Sequence, residues 1–185
     1  MTPDQEALLE VVRGLEHLGI PYMVTGSFAS SFHGRPRSTQ DADVIIDPSG
    51  EQLATLVDAL TRAGFYVDAG RAQDALARRL QFNVIEPRAN FKVDLIIRKD
   101  RPFSRAELDR RQVVELAPGL SASLATAEDT ILSKLEWSKA AGRSEKQLGD
   151  AADVLSLNPR VDRAYIERWA SVLDVLDLWR EITGG

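Results

Sequence analysis

The sequence has no cysteine. That excludes disulfides, thiolate metal sites and a cysteine nucleophile. Its only histidines, His17 and His33, stand far apart in the chain, so a zinc site is not expected either. No apolar run approaches the ~20 residues of a membrane span, and the N-terminus lacks the apolar stretch of a signal peptide. The expectation is a cytoplasmic chain with no membrane partner. Positive charge is also in short supply. The net charge is −5, which argues against a general affinity for nucleic acid.

The deficit is uneven. Residues 1–70 carry 4 Lys/Arg against 10 Asp/Glu, residues 71–111 carry 11 against 6, and residues 112–185 carry 8 against 12. The middle segment is thus basic inside an acidic chain. It reads either as a local groove for a polyanion or as a solvated surface. At 185 residues the chain is long enough for one sizeable core and a helical appendage.

Local signals are clear along most of the length. Thr2, Pro3 and Gln5 spell a capped helix start, and Leu8, Leu9, Val12, Leu15 and Leu18 supply its apolar face. A turn at 47–50 precedes a second helix with Leu53, Leu56, Val57 and Leu60 at helical spacing. Short strands are expected at 22–25, 41–46 and 65–67, and a polar helix at 72–80. The runs 81–86 and 91–97, joined by Pro87-Arg88-Ala89-Asn90, read as a hairpin. A short helix at 104–110 and a last edge strand at 112–117 follow. From Thr126 the texture turns helical, with Thr126 as cap and Asp129 as a capping acid. Ile131, Leu132, Leu135 and Trp137 supply apolar contacts there. Further helices are expected at 146–157 and 162–182. Trp137, Trp169 and Trp179 read as core or interface residues. The sheet part is expected to give way to the helical part near 118–124. The fold class is α+β, with a sheet-bearing core at 1–120 and a helical subdomain at 121–185 packed on it.

The chemistry concentrates in YMVTGSFASSFHGRPRSTQDADVII, residues 22–46. Alternation along a strand puts Asp41 and Asp43 on one side. Two carboxylates on one face, ahead of apolar Val44, Ile45 and Ile46, call for a cation. Mg²⁺ fits, since it takes a few carboxylate oxygens and leaves other positions to water and phosphates. Gly26 permits a tight turn. Ser27 would open a short helix at 28–33, whose free N–H groups attract anions. Gly34 would end it. Arg35 and Arg37 follow in a loop, either on phosphate or on the surface. His33 reads as a packing or capping residue. Asp94, inside the apolar run FKVDLII, is an acid that needs a partner.

Gly-Ser, thirteen residues, then Asp-x-Asp on a strand resembles the signature of the DNA polymerase beta-like nucleotidyltransferases. The fuller string GSFASSFHGRPRSTQDAD resembles the bacterial subgroup that includes AbiEii- and MenT-type toxins. The segment TAEDTILSKLEWSKAAGRSEKQLGDAADVL is similar to that subgroup's helical part. The resemblance implies a small mixed sheet flanked by helices, with a C-terminal helical bundle. It implies metal-dependent transfer of a nucleoside monophosphate from ATP, GTP or CTP to an acceptor hydroxyl. Asp41, Asp43 and Asp94 would hold Mg²⁺ or Mn²⁺, and Asp94 would act as base. Gly26, Ser27, Arg35, Arg37 and Thr39 would serve the nucleotide. Lys134 would contact its phosphates, positioned by Asp150 or by its neighbour Asp153. RNA, tRNA among it, is the implied acceptor, and an antitoxin protein the implied partner. The other possibility kept open is a nucleotide-binding module or complex subunit without turnover.

Overall fold

The computed structural model describes residues 2–36, 39, 41–88 and 90–184. The chain opens with α1 (Pro3–His17), β1 (Tyr22–Thr25), α2 (Gly26–His33) and β2 (Asp41–Ile46). It continues through α3 (Gly50–Arg62), β3 (Tyr66–Val67), α4 (Ala69–Arg78), β4 (Gln81–Glu86) and β5 (Phe91–Ile97). Then come α5 (Pro102–Arg110), β6 (Gln112–Ala117) and β7 (Leu120–Leu124). Four helices close it: α6 (Ala127–Ala140), α7 (Glu145–Leu157), α8 (Arg163–Val172) and α9 (Leu176–Thr183). The class is α+β, as the residue pattern indicates. Among the described residues no helix is long and apolar enough to cross a membrane.

Two compact units divide these elements. One comprises Met1–Thr25 with Thr39–Leu124, the other Gly26–Ser38 with Ala125–Gly185. Helix α2, although it lies between two strands in the sequence, therefore belongs with the C-terminal helices.

The first unit is built on a seven-stranded mixed sheet in the order β3-β4-β5-β2-β1-β7-β6. β1 runs antiparallel to β2, and β2 runs parallel to β5. The hairpin expected at 81–97 forms, with β4 antiparallel to β5. One face of the sheet is apolar: Ala42, Val44 and Ile46 of β2 and Val93, Leu95 and Ile97 of β5 are all buried. α1 packs on β5, β7 and α3, presenting Leu8, Val11, Val12 and Leu15, each essentially inaccessible to solvent. Reciprocal Thr2–Gln5 and Ser49–Gln52 capping boxes start α1 and α3. Each cap contributes about 1 kcal/mol.

Two local expectations change. Residues 118–124 are not merely a boundary. Pro118 and Gly119 turn the chain back, and β7 pairs antiparallel with β6 and parallel with β1. The polar helix expected at 72–80 begins earlier, because the Asp68 carboxylate accepts the Arg71 N–H at 2.9 Å and draws residues 69–71 into the first turn.

The second unit is helical. α6 packs on α7, α2 and α8, while α9 packs on α7 and α8. Ile131, Leu132, Leu135, Ala151, Val154, Ile166 and Trp179 form its interior. Asp129 is buried there with both oxygens satisfied. Thr126 Oγ1 donates to one at 2.7 Å and the Tyr165 hydroxyl to the other at 2.6 Å. Thr126 is the cap of α6, its hydroxyl accepting the Asp129 N–H at 3.2 Å, and the Asp129 carboxylate ties α8 to that helix start. Trp137 corrects the apolar reading of α6, for it is 55% exposed. The buried stripe follows positions 131, 134, 135 and 138, and position 137 falls outside it.

Candidate active site

The second face of the sheet carries the acids. Asp41, Asp43 and Ile45 alternate with the buried residues of β2, and Lys92, Asp94 and Ile96 with those of β5. The parallel register sets Asp43 opposite Asp94 and Asp41 opposite Lys92. Directly paired residues on adjacent strands point to the same side and stand about 4.8 Å apart. The result is a four-point lattice of three carboxylates and one ammonium. The structure brings Asp41, Asp43 and Asp94 together on this face. Thr39 joins them, its hydroxyl 2.8 Å from the Asp41 carbonyl oxygen and 3.1 Å from Asp41 Oδ1.

Asp94 is the most enclosed of the three, only 5% exposed, on a strand with a partner on each side. Its Oδ1 accepts from Asn83 Nδ2, the residue opposite it on β4. Its Oδ2 accepts from Lys92 Nζ at 2.8 Å, and the same ammonium lies 3.9 Å from Asp41 Oδ2. The hydrogen bond it donates to Asp94 is the main reason the Lys92 ammonium holds its proton above the ordinary lysine range, with the charges of Asp94, Asp41 and Asp43 adding to it against a desolvation cost. Two carboxylates at strand spacing repel by roughly 3 kcal/mol at an effective dielectric of about 20. Lys92 offsets that repulsion. Lys92 and Asn83 carry no motif of their own. Strand alternation and the hairpin register are the signals that place them beside Asp94.

The donor set suits a hard divalent cation. Three carboxylates with one ammonium leave a formal charge of −2, and the ammonium marks where positive charge is favoured. Asp41, Asp43 and Asp94 therefore fit Mg²⁺ or Mn²⁺ in kind. As placed, with Lys92 on Asp94, they are not gathered around a common point: among the described residues no three metal-ligating side chains are so arranged.

The other expected residues belong to the helical unit, with Arg37 outside the described residues. Gly26 has φ +62°, a left-handed conformation that favours glycine. α2 begins at Gly26, two residues earlier than expected, and the Ser30 hydroxyl donates to the Ser27 carbonyl at 3.2 Å. Gly34 accepts the end of α2, its N–H donating to Ser30 O at 2.8 Å. It is required by close approach, since a Cβ there would lie 2.7 Å from Ser30 O and 3.2 Å from Val154 Cγ2. His33 Nε2 lies 2.7 Å from Ala125 O, and its own carbonyl accepts from Asn158 Nδ2 at 2.6 Å. Burial lowers its pKa, opposed by the Ala125 bond and the Glu128 charge. The packing role expected for His33 matches these contacts.

Lys134 and Asp150 meet. The ammonium donates to Asp150 Oδ2 at 2.8 Å, with the two side chains 5% and 15% exposed. Asp153 instead pairs with Arg35 at 3.0 Å. The partner of Lys134 is thus Asp150, and the Arg35 guanidinium is engaged by an acid on α7.

No protein-family model matches the chain, and no curated protein matches it. Solved structures share its fold. ANT(2")-Ia in complex with adenylyl-2"-tobramycin matches over 94% of this chain and 98% of its own, at 12% identity and a TM-score of 0.61. The lincosamide antibiotic adenylyltransferase LnuA, bound to lincomycin, matches over 85% and 98%, at 12% identity and a TM-score of 0.56. An antigenic nucleotidyltransferase-like protein from Paracoccidioides brasiliensis matches over 98% and 93%, at 15% identity and a TM-score of 0.54. The chain has the nucleotidyltransferase fold.

Proposed function

We propose that this chain is a nucleotidyltransferase that moves a nucleoside monophosphate from an NTP to an acceptor hydroxyl and releases pyrophosphate. One observation carries the reading. Asp43 and Asp94 stand side by side across the β2–β5 ladder with Asp41 on the same face, in a fold shared with adenylyltransferases. Asp41, Asp43 and Asp94 are the residues that would hold Mg²⁺ or Mn²⁺. When bound, such ions supply Lewis-acid stabilisation of phosphate charge and lower the acidity barrier of the attacking hydroxyl.

The chain's own residues account for the rest. Asp94 takes the proton of the acceptor hydroxyl, while the Asn83 amide donates to its Oδ1. The acceptor oxygen bonds to the α-phosphorus and the bond to the bridging oxygen breaks, so pyrophosphate leaves. Thr39 orients Asp41. Gly26, Ser27 and Lys134 serve the nucleotide phosphates, and Asp150 holds Lys134. Arg35 and Arg37 complete the nucleotide set by resemblance. In this reading the sheet unit, Met1–Thr25 with Thr39–Leu124, is the catalytic core and the helical unit its subdomain.

The basic segment 71–111 is offered as an RNA grip, but several of its arginines already face acids. Arg78 pairs with Asp74, Arg79 and Arg98 with Asp47, and Arg105 with Asp100. A small hydroxylated acceptor is therefore tested beside RNA. The toxin-like role and an antitoxin partner rest on the motif resemblance. A binding module without turnover is favoured by one observation, the Lys92 ammonium seated on Asp94.

The experiment incubates the chain with α-labelled NTPs, Mg²⁺, and either total RNA or aminoglycosides and lincosamides. Label transfer is expected in one acceptor class, lost in Asp41→Ala and Asp43→Ala, and kept in Asp68→Ala. Equal transfer by all of these variants contradicts the proposal. Nucleotide binding without transfer decides for the module.

A further inference from the structure

We propose that Lys92 is a resident cation of the acid face, neutralising Asp94 and Asp41 until a divalent cation displaces it, and so sets the affinity for that ion. The inference rests on the reading of Asp41, Asp43 and Asp94 as metal ligands. It concerns a residue to which that reading gives no task.

Three features point to a displaceable occupant. The first is place. Lys92 Nζ donates to Asp94 Oδ2 at 2.8 Å and lies 3.9 Å from Asp41 Oδ2. An ion reaching those oxygens meets a like charge already there, and a metal ligand must offer the same lone pairs that the ammonium now uses. The second is the contrast with Asn83. That neutral amide holds the other oxygen, Oδ1, and has no charge to repel an ion. The third is the exit. The Lys92 side chain is 40% exposed while the Asp94 side chain is 8% exposed. The lysine stem can swing into solvent and rehydrate, while the acid stays in the sheet. The backbone of Lys92 is fixed by ladder partners on both sides, Asp41 and Ile85, so release needs side-chain rotation alone. Lysine suits this task better than arginine, because its ammonium is a strongly hydrated point charge and lacks the bidentate fork that grips a carboxylate.

Charge explains the geometry as well. With Lys92 in place the acids need not converge, and they do not. Removing the ammonium leaves three carboxylates whose mutual repulsion another cation relieves.

The experiment titrates Mn²⁺ into the full chain without nucleotide, by calorimetry and by the loss of the free-Mn²⁺ paramagnetic signal. Lys92→Met is expected to bind about tenfold tighter or more, the range set by losing one competing charged hydrogen bond. Lys92→Arg is expected to bind no tighter than the unaltered chain. Without metal, Lys92→Met should melt lower and regain stability on adding Mn²⁺. In case that variant does not fold, the Lys92 ammonium is followed by ¹⁵N-edited NMR in the unaltered chain, and its signal should move to that of a solvated lysine as Mg²⁺ is added. Equal or weaker Mn²⁺ binding by Lys92→Met, or an ammonium signal indifferent to saturating Mg²⁺, overturns the inference and leaves the acids standing as ligands. Absence of binding in every variant, or binding unchanged in Asp94→Asn and Asp43→Asn, overturns both.

Discussion

Replacing Asp150 by alanine should destabilise the helical unit far more than replacing Asp153, although both lie on α7. Lys134 Nζ sits 2.8 Å from Asp150 Oδ2, and its side chain is only 5% exposed. Without the carboxylate, the ammonium is left in a stripe it shares with Ile131, Leu135 and Ser138, all of them solvent-inaccessible. Breaking a buried pair from one side costs about 3–5 kcal/mol. Asp153 pairs with Arg35, whose side chain is 77% exposed, and such a pair contributes about 0–1 kcal/mol. For a chain of this size the difference is a melting temperature roughly 6–20 °C lower for Asp150→Ala, against at most about 4 °C for Asp153→Ala. Scanning calorimetry or circular dichroism at 222 nm reads both. Adding Lys134→Met to Asp150→Ala should recover most of the loss, because it removes the stranded charge. An Asp150→Ala midpoint within about 2 °C of the unaltered chain refutes the reasoning, as does a double variant no better than the single one.

Two further predictions concern the same unit. His33 has a lowered pKa in the fold, so the unfolded chain takes up its proton first. Stability is full above the ordinary value of 6.5 and falls as pH drops below it, and His33→Gln should flatten that slope below pH 6.5 in thermal melts. Gly34→Ala should cost about 1–3 kcal/mol, because its Cβ would press on a backbone oxygen. Gly149→Ala within α7 should gain about 0.5–1 kcal/mol, since a Cβ there has nothing within 4 Å. Urea midpoints separate the two.

Much of the acid face was legible because it depends on local rules. Alternation gave Asp41 and Asp43 a common side, and a hairpin with an acid in its apolar strand singled out Asp94. That β5 lies parallel to β2 was not legible, since nothing local in the chain specifies a long-range register. Lys92 was within reach of the same alternation, but an isolated lysine on a strand carries no signal until its neighbour across the ladder is known. β7 escaped because LSASL is short and polar, and Pro118-Gly119 marks a break as readily as a hairpin turn. Membership of α2 in the helical unit was also hidden. It depends on Gly34 meeting Val154, about 120 residues downstream, and only a fold brings those together. Trp137 is apolar by residue type, but its position falls off the buried stripe of α6. Lys134 and Asp150 were paired from resemblance, and the geometry separates Asp150 from Asp153 where spacing alone did not.

The account turns on whether Asp41, Asp43 and Asp94 bind a divalent cation together. Anomalous diffraction from crystals grown with Mn²⁺ and a non-hydrolysable NTP tests it directly. The account predicts manganese coordinated by oxygens of these three side chains, with the triphosphate on the same ion and Lys92 withdrawn from Asp94. Manganese bound elsewhere, or an acid face still closed by Lys92 at saturating metal and nucleotide, would contradict it.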